Sequence, residues 1–105
     1  MANSFTKDVL VQVEDVKNAA EFYVQNLGFE ITKESPSFIS LHGHNINLFL
    51  DQGDKLGPVL EIKVNDLEEA KNKLLQAGCE VIVWQVNGPR KYIRDPNGLI
   101  YNLAI

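Results

Sequence analysis

The chain contains one stretch of sequence twice. VLVQVEDVKNAAEFYVQNLGFEI, at Val9–Ile31, returns as VLEIKVNDLEEAKNKLLQAGCEV at Val59–Val81. Each copy has the pattern of a strand, an acidic residue, an amphipathic helix, a glycine and a second strand, and Asp15 of the first copy matches Asp66 of the second. A repeat of this length in 105 residues predicts two copies of one supersecondary unit that share a core. Two such halves also form a cleft where they meet, and that cleft is where we expect the function to lie.

Each half reads as βαβββ, which predicts an α+β fold with one domain over residues 1–105. Module 1 covers about 6–52 and module 2 about 57–105, and Asp51–Gly57 reads as the linker between them. The residues up to Lys7 read as a polar lead-in, and Gly43-His44 reads as a turn. The apolar stripes of the two helices are Val16, Ala19, Tyr23 and Leu27 in the first, and Leu67, Ala70, Leu74 and Ala77 in the second.

Composition and charge exclude several classes of protein. The net charge of −4 argues against a nucleic-acid-binding protein, which needs a basic face. The longest apolar runs are far too short for a membrane span, and the N-terminus lacks the pattern of a signal peptide. Cys79 is the only cysteine, so no disulfide can form within the chain. We therefore expect a cytoplasmic protein with no membrane and no nucleic-acid partner.

The strands alternate apolar and polar residues, so each sheet has one face for the helix and a second, more polar face. Alternation assigns the second face these residues: Asp8, Leu10, Gln12, Phe38, Ser40, His42, Asn47, Phe49, Glu61, Lys63 and Asn102. Aromatic rings among hydrogen-bonding groups suit a small organic ligand, because the rings supply area and the polar groups fix orientation. The alternative, which the sequence leaves open, is a solvated sheet surface.

Three motifs resemble those of one superfamily. They are D-V-x-x-A-x-x-F-Y-x-x-x-L-G-F at Asp15–Phe29, V-N-D-L-E-E-A at Val64–Ala70 and D-P-N-G at Asp95–Gly98. Their order and spacing resemble the vicinal oxygen chelate superfamily, which includes glyoxalase I, extradiol dioxygenases, fosfomycin-resistance enzymes and bleomycin-resistance proteins. The resemblance implies paired βαβββ modules whose curved mixed sheets form a cup around the ligand.

The resemblance also implies where a metal would bind. The four equivalent positions are Asp8, Asn47, Val59 and Asn102. Valine cannot bind a metal, and neutral amides are poor ligands for transition metals. The sequence therefore points toward the metal-free members, which resemble bleomycin-resistance proteins, bind a ligand without changing it and pair as homodimers. We expect neither a metal nor another cofactor.

Further candidates lie outside the alternating set. The resemblance implies that Trp84 lines the ligand slot, while core packing is an equal alternative. Tyr92 and Arg90 lie on the neighbouring strand, and Arg90 suits an anionic ligand. His42 and His44 flank a tight turn without a third ligand nearby, which favours surface positions over a metal site. Cys79 reads as a small buried hydrophobic residue.

Our sequence-based interpretation is a metal-independent protein that binds a small organic ligand, with sequestration of an antibiotic as one possible role. The main alternative is an enzyme of the same superfamily, a lyase, isomerase or dioxygenase, that uses a shifted metal-ligand set of Asp8, Glu61 and His42. A third alternative is an interaction module without a functional ligand site. The residues that we predict to bind the ligand are Asp8, Gln12, Phe38, Ser40, His42, Asn47, Phe49, Glu61, Trp84, Arg90, Tyr92 and Asn102.

Overall fold

The computed structural model describes residues 3–105 and separates into two compact units. The N-terminal unit is Lys7–Pro58, and the C-terminal unit is Val59–Ile105 together with residues 3–6. Each unit contains one helix and a mixed four-stranded sheet. The predicted α+β fold with two βαβββ modules is thus confirmed.

The first module consists of these elements in chain order: β1 (Ser4–Val13), α1 (Val16–Leu27), β2 (Glu30–Glu34), β3 (Phe38–Gly43) and β4 (Ile46–Gln52). The strand order across the sheet is β2, β3, β4, β1. β1 and β4 run parallel, while the other neighbours are antiparallel. The crossover through α1, β2 and β3 allows the parallel pairing, because two parallel strands need a long connection.

The second module repeats this plan with β5 (Leu56–Lys63), α2 (Leu67–Gln76), β6 (Glu80–Trp84), β7 (Lys91–Arg94) and β8 (Ile100–Ala104). The order across its sheet is β5, β8, β7, β6, and β5 and β8 run parallel. Neither helix in the described part of the chain is long and apolar enough to cross a membrane.

Matching acidic residues begin the two helices. The Asp15 carboxylate accepts a hydrogen bond from the Asn18 backbone N–H at 3.0 Å, and Asp66 does the same for the Glu69 N–H at 3.0 Å. These bonds satisfy backbone donors that have no partner inside a helix. Gly28 follows α1 with φ of 73°, a left-handed conformation that glycine adopts without steric cost.

In each helix, the prediction that the last residue of the apolar stripe is buried is wrong. Val16 and Ala20 are buried against the sheet, with Ala19 and Tyr23 partly buried beside them, whereas Leu27 at the end of α1 is 48% exposed. In α2, Leu67, Ala70 and Leu74 pack on the C-terminal core, but Ala77 lies beyond the last helical turn and is exposed.

Three segment boundaries also differ from the prediction. β1 begins at Ser4, so most of the predicted polar lead-in up to Lys7 is strand. The first two residues of that lead-in lie outside the described range. The turn between β3 and β4 is centred on His44 and Asn45, with φ of 52° and 67°, one residue later than predicted. Positive φ at both central residues is typical of a two-residue hairpin turn that matches strand twist. The predicted linker is mostly strand, because β4 extends to Gln52 and β5 starts at Leu56.

Tyr101 lies in the C-terminal core beside Cys79, which is buried as predicted. Burial raises the pKa of the Tyr101 phenol well above its ordinary value of 10.0, and the hydrogen-bonding contact with the Cys79 sulfur, 3.5 Å away, adds to the shift. The folded chain therefore keeps a proton that the unfolded chain releases above pH 10, so stability falls as the pH rises beyond that point.

We expect Tyr101→Phe to flatten this alkaline loss of stability. One proton corresponds to a slope of at most about 1.4 kcal/mol per pH unit. Urea unfolding of both proteins between about pH 9 and 11 measures the slopes. Identical slopes for the wild type and the variant would show that Tyr101 does not hold its proton on folding.

Candidate functional site

The N-terminal sheet has a face that α1 leaves uncovered, which we call the N-terminal helix-free face. Val9, Val11 and Val13 of β1 pack toward the core under α1, so the residues between them point the other way. The same alternation in β3 and β4 completes the face. Its residues are Asp8, Leu10, Gln12, Phe38, Ser40, His42, Asn47, Phe49 and Asp51.

A chain of three polar side chains crosses this face. Asn47 of β4 lies opposite Asp8 of β1 on one side and opposite His42 of β3 on the other. The Asn47 Nδ2 donates to Asp8 Oδ1 at 2.9 Å, and the Asn47 Oδ1 is 3.0 Å from His42 Nδ1. The structure therefore brings together three of the predicted ligand residues, with His42 exposed at the outer end of the chain.

A pair of aromatic rings adjoins the polar chain on the same face. Phe38 and Phe49 are stacked, with ring centroids 5.8 Å apart and planes inclined at 23°. Ser40 lies directly opposite Phe49 and is buried. Both rings are only half-buried, so they offer apolar area beside the hydrogen-bonding groups.

Asp51 is a member of this face that the sequence interpretation missed. It lies opposite Gln12 on β1 and Phe38 on β3, and it is buried. The predicted linker begins at Asp51, although this residue lies two positions after Phe49 and continues the alternation of β4, which places it on the face.

The C-terminal sheet has a corresponding helix-free face with a different chemistry. Glu61 of β5, Asn102 of β8 and Tyr92 of β7 are neighbours across the strands. Glu61 Oε2 accepts from the Thr6 hydroxyl at 3.2 Å, and Asn102 Oδ1 accepts from the Lys91 backbone N–H at 2.8 Å. Tyr92 is almost fully buried. The structure thus brings three more predicted residues into one row.

The strand register corrects the predicted equivalence of the four metal positions. Val59, the repeat partner of Asp8, lies opposite Ile100, and both are buried. Asn102 lies opposite Glu61, two residues further along the strands. The Asp8–Asn47 pair of the first module therefore corresponds to an apolar pair in the second module.

The residues at the four predicted metal positions do not fit a metal centre of the kind that the superfamily resemblance implies. The four positions supply one carboxylate, two amides and a buried valine that has no donor atom. The amide of Asn47 is already hydrogen-bonded to Asp8 and His42 through its nitrogen and its oxygen. Within residues 3–105, no three His, Cys, Asp or Glu side chains are grouped so that they could hold a metal ion.

Two other predicted residues lie outside the rows described so far. Trp84 packs against the C-terminal core on the α2 side, where the Lys71 Nζ lies 4.6 Å from its ring centroid. Core packing, the alternative for Trp84, therefore describes its position. Arg90 precedes β7, and its backbone N–H donates to Gln85 Oε1 at 3.2 Å.

Two cavities lie at the helix N-termini. One of about 170 Å³ adjoins Asp66 and Glu69 at the start of α2, and one of about 260 Å³ adjoins Asp15 and Pro36 near the start of α1. None of the predicted ligand residues lines either cavity.

The model of the Glyoxalase/Bleomycin resistance protein/Dioxygenase superfamily matches residues 6–102, and the chain belongs to this superfamily. No curated protein sequence matches the chain significantly. Among solved structures, a superfamily member from Vibrio splendidus 12B01 is similar with a TM-score of 0.63 and 17% identity, covering 95% of this chain and 97% of that one.

Two similar structures belong to longer proteins. Homoprotocatechuate 2,3-dioxygenase from Brevibacterium fuscum, in complex with 3,4-dihydroxyphenylacetate, gives a TM-score of 0.63 at 22% identity over 97% of this chain and 37% of that one. The Mn(II)-bound glyoxalase from Novosphingobium aromaticivorans gives 0.65 at 16% identity over 97% and 38%. The chain thus spans little more than a third of these two proteins, and at these identities the likeness concerns the fold.

Proposed function

We propose that the chain binds a small organic ligand on the N-terminal helix-free face and does so without a metal ion. The observation that carries this proposal is the position of Asn47. It stands where the resemblance implies a metal ligand, yet both ends of its amide are held by Asp8 and His42 at 2.9 and 3.0 Å. A side chain fixed in this way serves as part of a polar binding surface and not as a metal ligand.

The chemistry of the face suits an organic ligand. The stacked rings of Phe38 and Phe49 supply apolar area for an aromatic or planar group. The polar chain beside them has a fixed orientation, because each member is hydrogen-bonded to the next. Apolar area next to a few oriented polar groups is the usual composition of a small-molecule site.

The enzyme alternative has less support from these residues. In the shifted metal set, His42 and Asp8 are both engaged with Asn47, and Glu61 accepts a hydrogen bond from Thr6. Among residues 3–105, no three His, Cys, Asp or Glu side chains are grouped so that they could hold the metal that such an enzyme would need.

A fragment screen by NMR tests the proposal. We expect aromatic fragments with hydrogen-bonding groups to shift the backbone amide signals of β3 and β4 in chelator-treated, ¹⁵N-labelled protein. Phe49→Ala should weaken the best fragment about tenfold, because it removes ring contact worth roughly 1 to 1.5 kcal/mol. Phe22→Ala is the matched control, since Phe22 is exposed on α1 and should leave binding unchanged. Equal losses in the two variants, or shifts confined to other elements, would contradict the proposal.

Three narrower expectations extend this proposal. The superfamily resemblance supports a homodimer, which a strictly monomeric mass at micromolar concentration would rule out. A single cysteine, which cannot form a disulfide within the chain, supports a cytoplasmic location. Sequestration of an antibiotic is the role that we propose by analogy with bleomycin-resistance proteins, and a survival assay with and without the expressed chain tests it.

A further inference from the structure

The hydrogen-bond chain on the N-terminal helix-free face has only one consistent direction. The ionised carboxylate of Asp8 accepts hydrogen bonds and cannot donate them, so the Asn47 amide must turn its NH₂ group toward it. The Asn47 carbonyl oxygen then faces His42 Nδ1. Because that oxygen accepts only, the His42 Nδ1 must carry the hydrogen.

We infer that this hydrogen-bond chain locks neutral His42 in the Nδ1–H tautomer, and that the His42 Nε2 accepts a hydrogen bond from the hydroxyl group of an aromatic ligand. The ligand class is therefore a phenol-like compound, with one flat ring and a hydroxyl donor. The inference rests on the proposed function, because it uses the same face, and it adds the chemistry that the ligand must carry. Asn47 and Asp8 are positioning residues in this arrangement.

The register of the strands gives this ligand a place. His42 and Ser40 are alternate residues of β3, and Asn47 and Phe49 are alternate residues of β4. Alternate residues on one strand are separated by about 7 Å, which is close to the width of one aromatic ring. A ring that contacts Phe49 therefore directs a hydroxyl substituent toward the exposed imidazole of His42.

The second histidine of the chain provides an internal reference. His44 Nε2 is hydrogen-bonded to the Leu27 backbone carbonyl oxygen. A carbonyl oxygen accepts only, so His44 must carry its hydrogen on Nε2. The chain has two histidines, and the structure assigns them opposite tautomers.

Nitrogen NMR of the imidazole rings measures the two tautomers directly in the free protein. Long-range ¹H–¹⁵N spectra recorded at about pH 8.5, roughly two pH units above the ordinary pKa of an imidazole, should show His42 as Nδ1–H and His44 as Nε2–H. Asn47→Ala removes the acceptor, so His42 should shift toward the Nε2–H form while His44 stays unchanged. Finding His42 as Nε2–H in the wild type would overturn the inference.

A matched pair of probes tests the ligand half. p-Cresol has a hydroxyl group, and 4-methylanisole has a methoxy group in its place. We expect His42→Ala to weaken p-cresol binding about three- to tenfold, the usual effect of one hydrogen bond, and to leave 4-methylanisole binding unchanged. Equal effects on both probes would overturn the role of His42. If p-cresol does not bind the wild type while other aromatic fragments still shift β3 and β4, the ligand half of the inference fails and the proposed function stands. If no fragment shifts these strands, the proposed function fails and the ligand half fails with it, while the tautomer spectra still decide whether the hydrogen-bond chain exists.

Discussion

Leu50→Ala is expected to lower the free energy of unfolding by about 3 to 4 kcal/mol. Leu50 of β4 is 0% exposed and belongs to the N-terminal core with Val16, Ala20 and Leu41. Its truncation removes buried methyl groups and leaves a cavity that the sheet and α1 cannot fully close. Thermal melts and urea unfolding with unchanged m-value should show the loss, with a fall in Tm of more than about 10 °C.

The same substitution at exposed leucines is the matched control. Leu27→Ala in α1 and Leu75→Ala in α2 change residues that are 48% and 42% exposed, and each should cost less than about 1 kcal/mol. Leu103→Ala, at a residue only 2% exposed in β8, should behave like Leu50→Ala and test the C-terminal core. A cost at Leu27 equal to that at Leu50 would mean that α1 packs its C-terminal end on the sheet, as the helix stripe predicted.

Gly57→Ala is expected to cost about 2 to 4 kcal/mol, since strain and a steric conflict combine at this position. Gly57 has φ of 133°, where side chains are disfavoured. An added Cβ would also lie 3.2 Å from the Leu10 carbonyl oxygen and 3.3 Å from the Val11 Cα. Both are backbone atoms, which cannot move aside as a flexible side chain does, so unfolding experiments should show a large loss of stability.

Two other glycines separate strain from steric conflict. Gly98 has φ of 96° but nothing within 4 Å of an added Cβ, so Gly98→Ala should cost about 1 kcal/mol from strain alone. Gly53 meets only the Gln12 side chain, at 3.5 Å or more, so Gly53→Ala should stay within about 0.5 kcal/mol of the wild type. Any order other than Gly57, Gly98, Gly53 in the measured losses of stability would contradict the described backbone at these three positions.

Local chemistry allowed much of the fold to be predicted from sequence. The repeat fixed the βαβββ plan, and the helix starts at Asp15 and Asp66 followed from capping, which depends on residues within one turn. Alternation also placed Asp8, His42 and Asn47 on one face. What alternation could not supply was the direction of hydrogen bonds between strands, because this depends on the register of residues far apart in sequence.

The position of Trp84 shows why other features of the structure could not be predicted from the sequence. Between Val81 and Val83 the register of β6 against β7 shifts, so Val81 lies opposite Ile93 and Val83 opposite Tyr92. Such an irregularity changes which residues share a face, and no residue type in this segment indicates that the register shifts. The same holds for Leu27, whose exposure depends on where α1 leaves the sheet and not on helical periodicity.

The most direct test of metal-independent binding is one titration carried out under two conditions. Elemental analysis of protein purified without chelators comes first. The best aromatic fragment is then titrated into protein dialysed against a chelator, and into the same protein with added Mn²⁺, Fe²⁺ or Zn²⁺. We predict no stoichiometric metal, and the same affinity and the same shifted signals in β3 and β4 with and without metal. Stoichiometric metal in the purified protein, or binding that appears only when a metal is added, would contradict the proposal and favour an enzyme of the superfamily.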